Sequence, residues 1–143
     1  MLCFCFNYKD ESGSASHISM DGFSISKIEY ETIMVVGVYR SADGDVKNLV
    51  NELQNLVDIE KTTLIGGDMN ICILKHSKNL LTQTLEDMGF KQFVTQATHE
   101  DGGAIDHIYM REGKKLRHSL TIEHFAKYYT DHDGICLTIR EAC

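Results

Sequence analysis

At 143 residues, with 43% hydrophobic and 24% charged residues, the chain has the make-up of one globular domain, 1–143. A chain of this length buries about two-thirds of its unfolded surface, so a core forms without a disulfide or metal staple. The formal net charge of −7 and a pI near 5.4 disfavour loose, bulk-charge binding to nucleic acid. No run approaches the ~20 apolar residues that a membrane helix requires.

The opening MLCFCFNYKDE is apolar over too short a stretch, and lacks the basic leader, to read as a secretory signal; an intracellular chain, nuclear or cytoplasmic, is expected. The five cysteines (Cys3, Cys5, Cys72, Cys136 and Cys143) are odd in number and form no CxxC pair, which predicts reduced, mostly buried thiols rather than a disulfide framework or a zinc site. Residues 9–22, rich in Ser, Gly and Asp, read as a loop. ISKIEYETIMVVGVY then alternates before passing into the β-branched run Ile33–Val38, the pattern of a hairpin whose second strand is buried on both faces.

Val46, Leu49, Val50, Leu53, Leu56 and Val57 recur at helical spacing, with Asp43 or Asp45 as the N-cap. TTLIGG is a buried strand, so strand, helix and strand follow one another as in a layered α/β domain. A second helix carries Leu80, Leu81, Leu85 and Met88, with Ser77 as its cap and Gly89 as the left-handed residue that ends it. Further strands are predicted at KQFVTQAT, at AIDHIYMR paired with HSLTIEHF across a basic turn, and at GICLTIR. There is no internal repeat and no proline.

Three short stretches place acids and histidines where strands end: GGDMN, AIDH and TDHDG. Residues two apart on an extended segment share a face, so Asp68 and Asn70 are candidates to line one cleft, although Gly, Asp and Asn are also common turn formers. Asp106 lies inside a strand-like segment, where an acid needs a partner or solvent. His132 stands between two acids, and a carboxylate bonded to an imidazole fixes its tautomer for acid/base or phosphate chemistry.

Taken in order, the Tyr of GVYRS, the Asp and Asn of IGGDMN, the Asp of AIDHIYM and the Asp-His of TDHDGICLTI resemble the later motifs of the endonuclease/exonuclease/phosphatase superfamily, the deoxyribonuclease I-like group. The likeness runs from about Phe23 to Arg140 and is strongest to the endonuclease domains of LINE retrotransposons and Helitron helicases. It implies a layered α/β sandwich and a metal-dependent phosphodiesterase acting on nucleic acid, DNA before RNA. By the same resemblance Asp68 orients or deprotonates the attacking water, and Asn70 positions it and contacts the phosphate. His132 binds the phosphate, Asp106 supports His132, Tyr39 lies at the phosphate and Asp131 binds the metal, Mg2+ or Mn2+. In the basic stretch REGKKLRH, Lys114 and Lys115 are candidate contacts to the phosphate backbone, beside the simpler reading as a solvated turn.

The superfamily's first strands supply an Asn and a metal-binding Glu ahead of the tyrosine motif. Only 38 residues precede Tyr39, and none of Glu11, Glu29 and Glu31 has that context, so the ion is expected to be weakly held and the first strands to be lacking. A sheet face left without those strands would be covered by a second copy of the chain or another protein. An alternative to the enzyme is therefore a catalytically impaired scaffold.

Overall fold

The computed structural model describes residues 13–115, 117–125 and 130–141. Six strands form one sheet in the order β1-β2-β3-β4-β6-β5: β1 Ser14–Met20, β2 Phe23–Glu29, β3 Ile33–Arg40, β4 Thr62–Asp68, β6 Asp106–Arg111 and the two-residue β5 Lys91–Gln92. β7 His118–Phe125 and β8 Gly134–Glu141 pair antiparallel as a second sheet. Helices α1 Val46–Leu56 and α2 Leu80–Asp87 complete the elements. No helix among the described residues is long and apolar enough to cross a membrane.

The two-residue period of the strands sorts the core onto two faces. Met34, Val36 and Val38 of β3 and Ile65 of β4 face the helices, where they meet Leu49 and Leu53 of α1 and Leu81 and Leu85 of α2. Ile33, Val35, Leu64, Ile108 and Met110 face the second sheet, against partly buried Leu120, Ile122, Ile135, Leu137 and Ile139. The Ile33–Val38 run is thus covered on both faces, and α1 is the crossover that lets β3 and β4 run parallel.

Local chemistry decides the helix ends. Asp45, not Asp43, caps α1: its Oδ1 accepts the Lys47 and Asn48 amides at 2.9 and 3.3 Å, while Asp43 takes the Ser41 hydroxyl. α2 is capped by Asn79 rather than Ser77, with the Thr82 amide donating to Asn79 Oδ1 at 2.9 Å. Gly89, at φ 92°, ends it as expected, the Phe90 amide reaching back to the Leu85 carbonyl.

Four expectations are corrected. The part of the 9–22 loop from Ser14 to Met20 is strand β1, closed onto β2 by a two-residue turn with Gly22 at φ 84°; residues 9–12 lie outside the described ones, as do Cys3, Cys5, Glu11 and Cys143. The strand expected over KQFVTQAT stops at Gln92, and further along residues 98–100 pair with 131–133. β7 does not pair with β6, whose two edges are already taken by β4 and β5. The basic turn between them is tied down at the start of β4, where the Gly113 amide donates to Thr62 Oγ1 at 3.0 Å. Cys136 is exposed and Cys72 only partly buried, so the expected burial of the thiols does not hold for these two.

Candidate active site

Registers place Tyr39, Asp68 and Asp106 side by side at one end of the main sheet, since Tyr39 pairs with Asp68 and Asp68 with Asp106. Each stands two or four residues beyond apolar positions that face the second sheet (Val35, Leu64 and Ile108), so all three point toward the gap between the sheets. The strand approach is close here. Gly67, at φ 150°, has no room for a side chain, since a Cβ would lie 1.7 Å from the Val38 carbonyl oxygen.

Beyond β4 the chain turns sharply. Asn70 adopts the left-handed conformation at φ 51°, which an Asx residue tolerates, and its amide N–H donates to Asp68 Oδ1 at 3.0 Å. Its side-chain amide donates to the Arg40 carbonyl. Arg40, only 5% exposed, grips the turn from beneath: Nε donates to the Met69 carbonyl at 2.8 Å, and the guanidinium also reaches the carbonyls of Gly44 and Asn70 at 2.7 and 3.3 Å. The Asp68 and Asn70 positions therefore depend on an arginine that the motif search passes over, although GVYRS contains it.

His132, just ahead of β8, reaches the same place from the second sheet. Its Nδ1 lies 2.9 Å from Asp106 Oδ2, and its Nε2 lies 3.8 Å from both Asp68 Oδ2 and Asp131 Oδ1. Asp106 is 1% exposed; its Oδ1 is buried without a partner among the described residues, and its backbone N–H donates to Thr98 Oγ1 at 3.2 Å. Burial pushes the Asp68 carboxyl up, the Asn70 amide opposes this, and the neighbouring Asp106 charge adds to it, so the net shift is upward.

Two side chains of the region were not legible as partners. His99 sits between Asp131 and Asp101, its Nε2 at 3.1 Å from Asp131 Oδ2 and its Nδ1 at 3.0 Å from Asp101 Oδ1. The His99 bond is the main cause that holds the Asp131 carboxyl low. His107 is buried next to Asp106: Nε2–H donates to the Ile71 carbonyl at 2.6 Å, so Nδ1 accepts the Tyr109 hydroxyl proton at 2.8 Å. Only their neighbourhood to acids in ATHED and AIDH hinted at either.

Tyr39 is 53% exposed at the mouth of the cluster. Lys114 and Lys115 are not brought to it: their amides donate to the carbonyls of Ile59 and Glu60, before the start of β4, about 20 Å along that strand from Asp68. Glu29 pairs with Lys27 and Lys61 at 3.1 and 2.9 Å. Among the described residues two groups have donors close enough to share a cation, Asp68–Asp106–His132 and His99–Asp131–His132, and neither contains a glutamate. Carboxylates standing opposite one another, one with an unpartnered buried oxygen, fit a cation or shared proton between them.

No protein-family profile and no curated protein matches the chain in sequence. Solved structures do match in shape. The endonuclease domain of TRAS1, a telomere-specific non-LTR retrotransposon, superposes with a TM-score of 0.65 at 14% identity, over 92% of this chain and 69% of that one. CdtB, the biologically active subunit of cytolethal distending toxin, gives 0.61 at 16% identity, over 93% and 58%, and beta toxin from Staphylococcus aureus 0.52 at 14%, over 82% and 56%. All three have the DNase I-like fold, and this chain adopts that layered α/β fold. It spans less than two-thirds of the latter two chains.

Proposed function

We propose that the chain is a metal-dependent phosphodiester hydrolase acting on DNA, of the mobile-element endonuclease type. The observation that carries the reading is the convergence of Asp68, Asp106 and His132 from three elements, with the Asp106–His132 contact at 2.9 Å.

Hydrolysis of a phosphodiester requires a water directed at phosphorus and positive stabilisation of the charge that spreads over its oxygens. Asp106 accepts the Nδ1 proton of His132, so Nε2 is the nitrogen offered to the cleft, and as N–H it donates to a phosphate oxygen. Asp68, with its carboxyl raised by burial, is suited to take the proton of the attacking water. Asn70, clamped by Arg40, orients that water, and the exposed Tyr39 hydroxyl meets the phosphate from the β3 side. Asp131, its side chain about half exposed, and the largely buried Asp68 have the oxygen donors a magnesium or manganese ion needs alongside its waters. When bound, such an ion would neutralise phosphate charge and lower the pKa of a coordinated water.

The test is cleavage of plasmid DNA and of a chromogenic phosphodiester with magnesium or manganese, comparing the native chain with Asp68→Ala and His132→Ala. The expected result is cleavage that both substitutions abolish; a native chain no faster than its variants would overturn the reading. The alternative, an impaired catalyst that serves as a binding scaffold, is favoured by the lack of a glutamate in either cation-competent group. In either case we propose that a second copy, or another protein, packs against β7 and β8, whose outer edges are unpaired among the described residues.

A further inference from the structure

We propose that His99, Asp131 and His132 form a binding site for a zinc-class divalent ion, which shares Asp131 with the hard-ion site but has two imidazoles in place of Asp68. The site does not rest on the hydrolase reading, although His132 and Asp131 are shared with it.

The geometry has four parts. First, two imidazoles converge on one carboxylate: His99 Nε2 lies 3.1 Å from Asp131 Oδ2, and His132 Nε2 lies 3.8 Å from Asp131 Oδ1. Second, each imidazole is backed at its other nitrogen by a further carboxylate, Asp101 at 3.0 Å behind His99 and Asp106 at 2.9 Å behind His132. A histidine that ligates a metal through one nitrogen characteristically donates the other N–H to a carboxylate, which fixes the tautomer and raises the ligand's basicity. The Asp101 amide also lies 3.3 Å from His99 Nδ1, but the carboxylate is nearer and is itself held by the Gly103 amide at 2.8 Å.

Third, the backbone holds the two histidines as a pair. Residues 99 and 132 form an antiparallel bridge flanked by bonds from the Glu100 amide to the Asp131 carbonyl, 2.8 Å, and from the Asp133 amide to the Thr98 carbonyl, 2.7 Å. The rings stand at 88° with centroids 5.0 Å apart. Fourth, two imidazoles and one carboxylate make a donor set for zinc rather than magnesium, and three protein ligands leave a position open to water. The donor atoms lie within 4.8 Å of one another, and closing onto an ion at ~2.0–2.2 Å from each requires about 1 Å of side-chain movement. Because the ion would take Nε2 of His132, zinc and phosphate exclude one another there.

The experiment is titration of the full chain with Zn2+ by calorimetry and with Co2+ by visible absorption. One ion per chain is expected, with the ligand-field bands of tetrahedral cobalt. His99→Ala should weaken Zn2+ binding by more than about tenfold and abolish the cobalt spectrum, Asp101→Asn should weaken it by about tenfold, and Asp68→Ala should leave it within about twofold. Asp131→Asn, which preserves shape, provides the same loss if His99→Ala does not fold. Native-like zinc affinity in folded His99→Ala, equal loss in Asp68→Ala, or no stoichiometric binding by the native chain overturns the proposal. A chain that binds zinc in this way yet cleaves no phosphodiester upholds this site and refutes the hydrolase.

Discussion

At the residue scale the strongest dependence is of His132 on Asp106. Asn at 106 keeps the size but can turn its NH2 toward Nδ1 and then no longer fixes the imidazole's tautomer, so Asp106→Asn should lower kcat on a chromogenic phosphodiester. His132→Ala should lower it further, by about 10²–10⁴-fold. Equal KM in both variants would place the loss in the chemical step. His107 makes a separate prediction. Burial drives its imidazole down from the ordinary 6.5 to about 4, so the folded protein holds it neutral. Above pH 6.5 neither the folded nor the unfolded chain protonates it; as pH falls from 6.5 toward 4 the unfolded chain takes a proton that the folded one refuses. Stability should therefore drop by up to about 3 kcal/mol over that window, read from urea midpoints, and His107→Gln should flatten the slope.

The elements differ in how far their sequences announced them. α1 was legible because its apolar spacing, its cap and its burial agree: Leu49 and Leu53 are fully buried where the period places them. Leu53→Ala should cost about 2–5 kcal/mol in chemical denaturation, and Asp45→Ala about 1 kcal/mol through the lost cap bonds. β1 was illegible for a physical reason. Its residues SASHISM are almost all exposed on an edge, so no alternation of burial marks them, and only pairing with β2 makes them a strand. β7 was legible as a strand but not in its partner, because the choice depends on which sheet edge remains free. That Asp68, Asp106 and His132 come together was legible only from the ordered set GGDMN, AIDH and TDHDG, since each stretch alone reads as a turn or strand end. Arg40 and His99 were not, because their work is to hold backbone and carboxylates that only the fold brings near.

At the scale of the whole molecule, the second sheet has two strands and, among the described residues, two unpaired edges. Its inward row, Leu120, Ile122, Ile135, Leu137 and Ile139, is only partly buried against Val35, Leu64 and Ile108. Its outward side is different, since Thr121 pairs with Thr138 and Ser119 with Arg140, a polar surface that water satisfies. Free edges and half-covered aliphatic side chains at the same place favour strand addition or sheet packing by a partner, and apolar burial of this kind contributes about 25 cal/mol per Å2. We therefore expect the purified chain to sediment as a dimer at high concentration, and Leu137→Glu, which turns a charge toward Val35, Leu64 and Ile108, to shift it to monomer with a lowered but still cooperative thermal transition. A native chain that remains monomeric by light scattering at every accessible concentration, with no partner added, would show that the second sheet tolerates its open edges unaided.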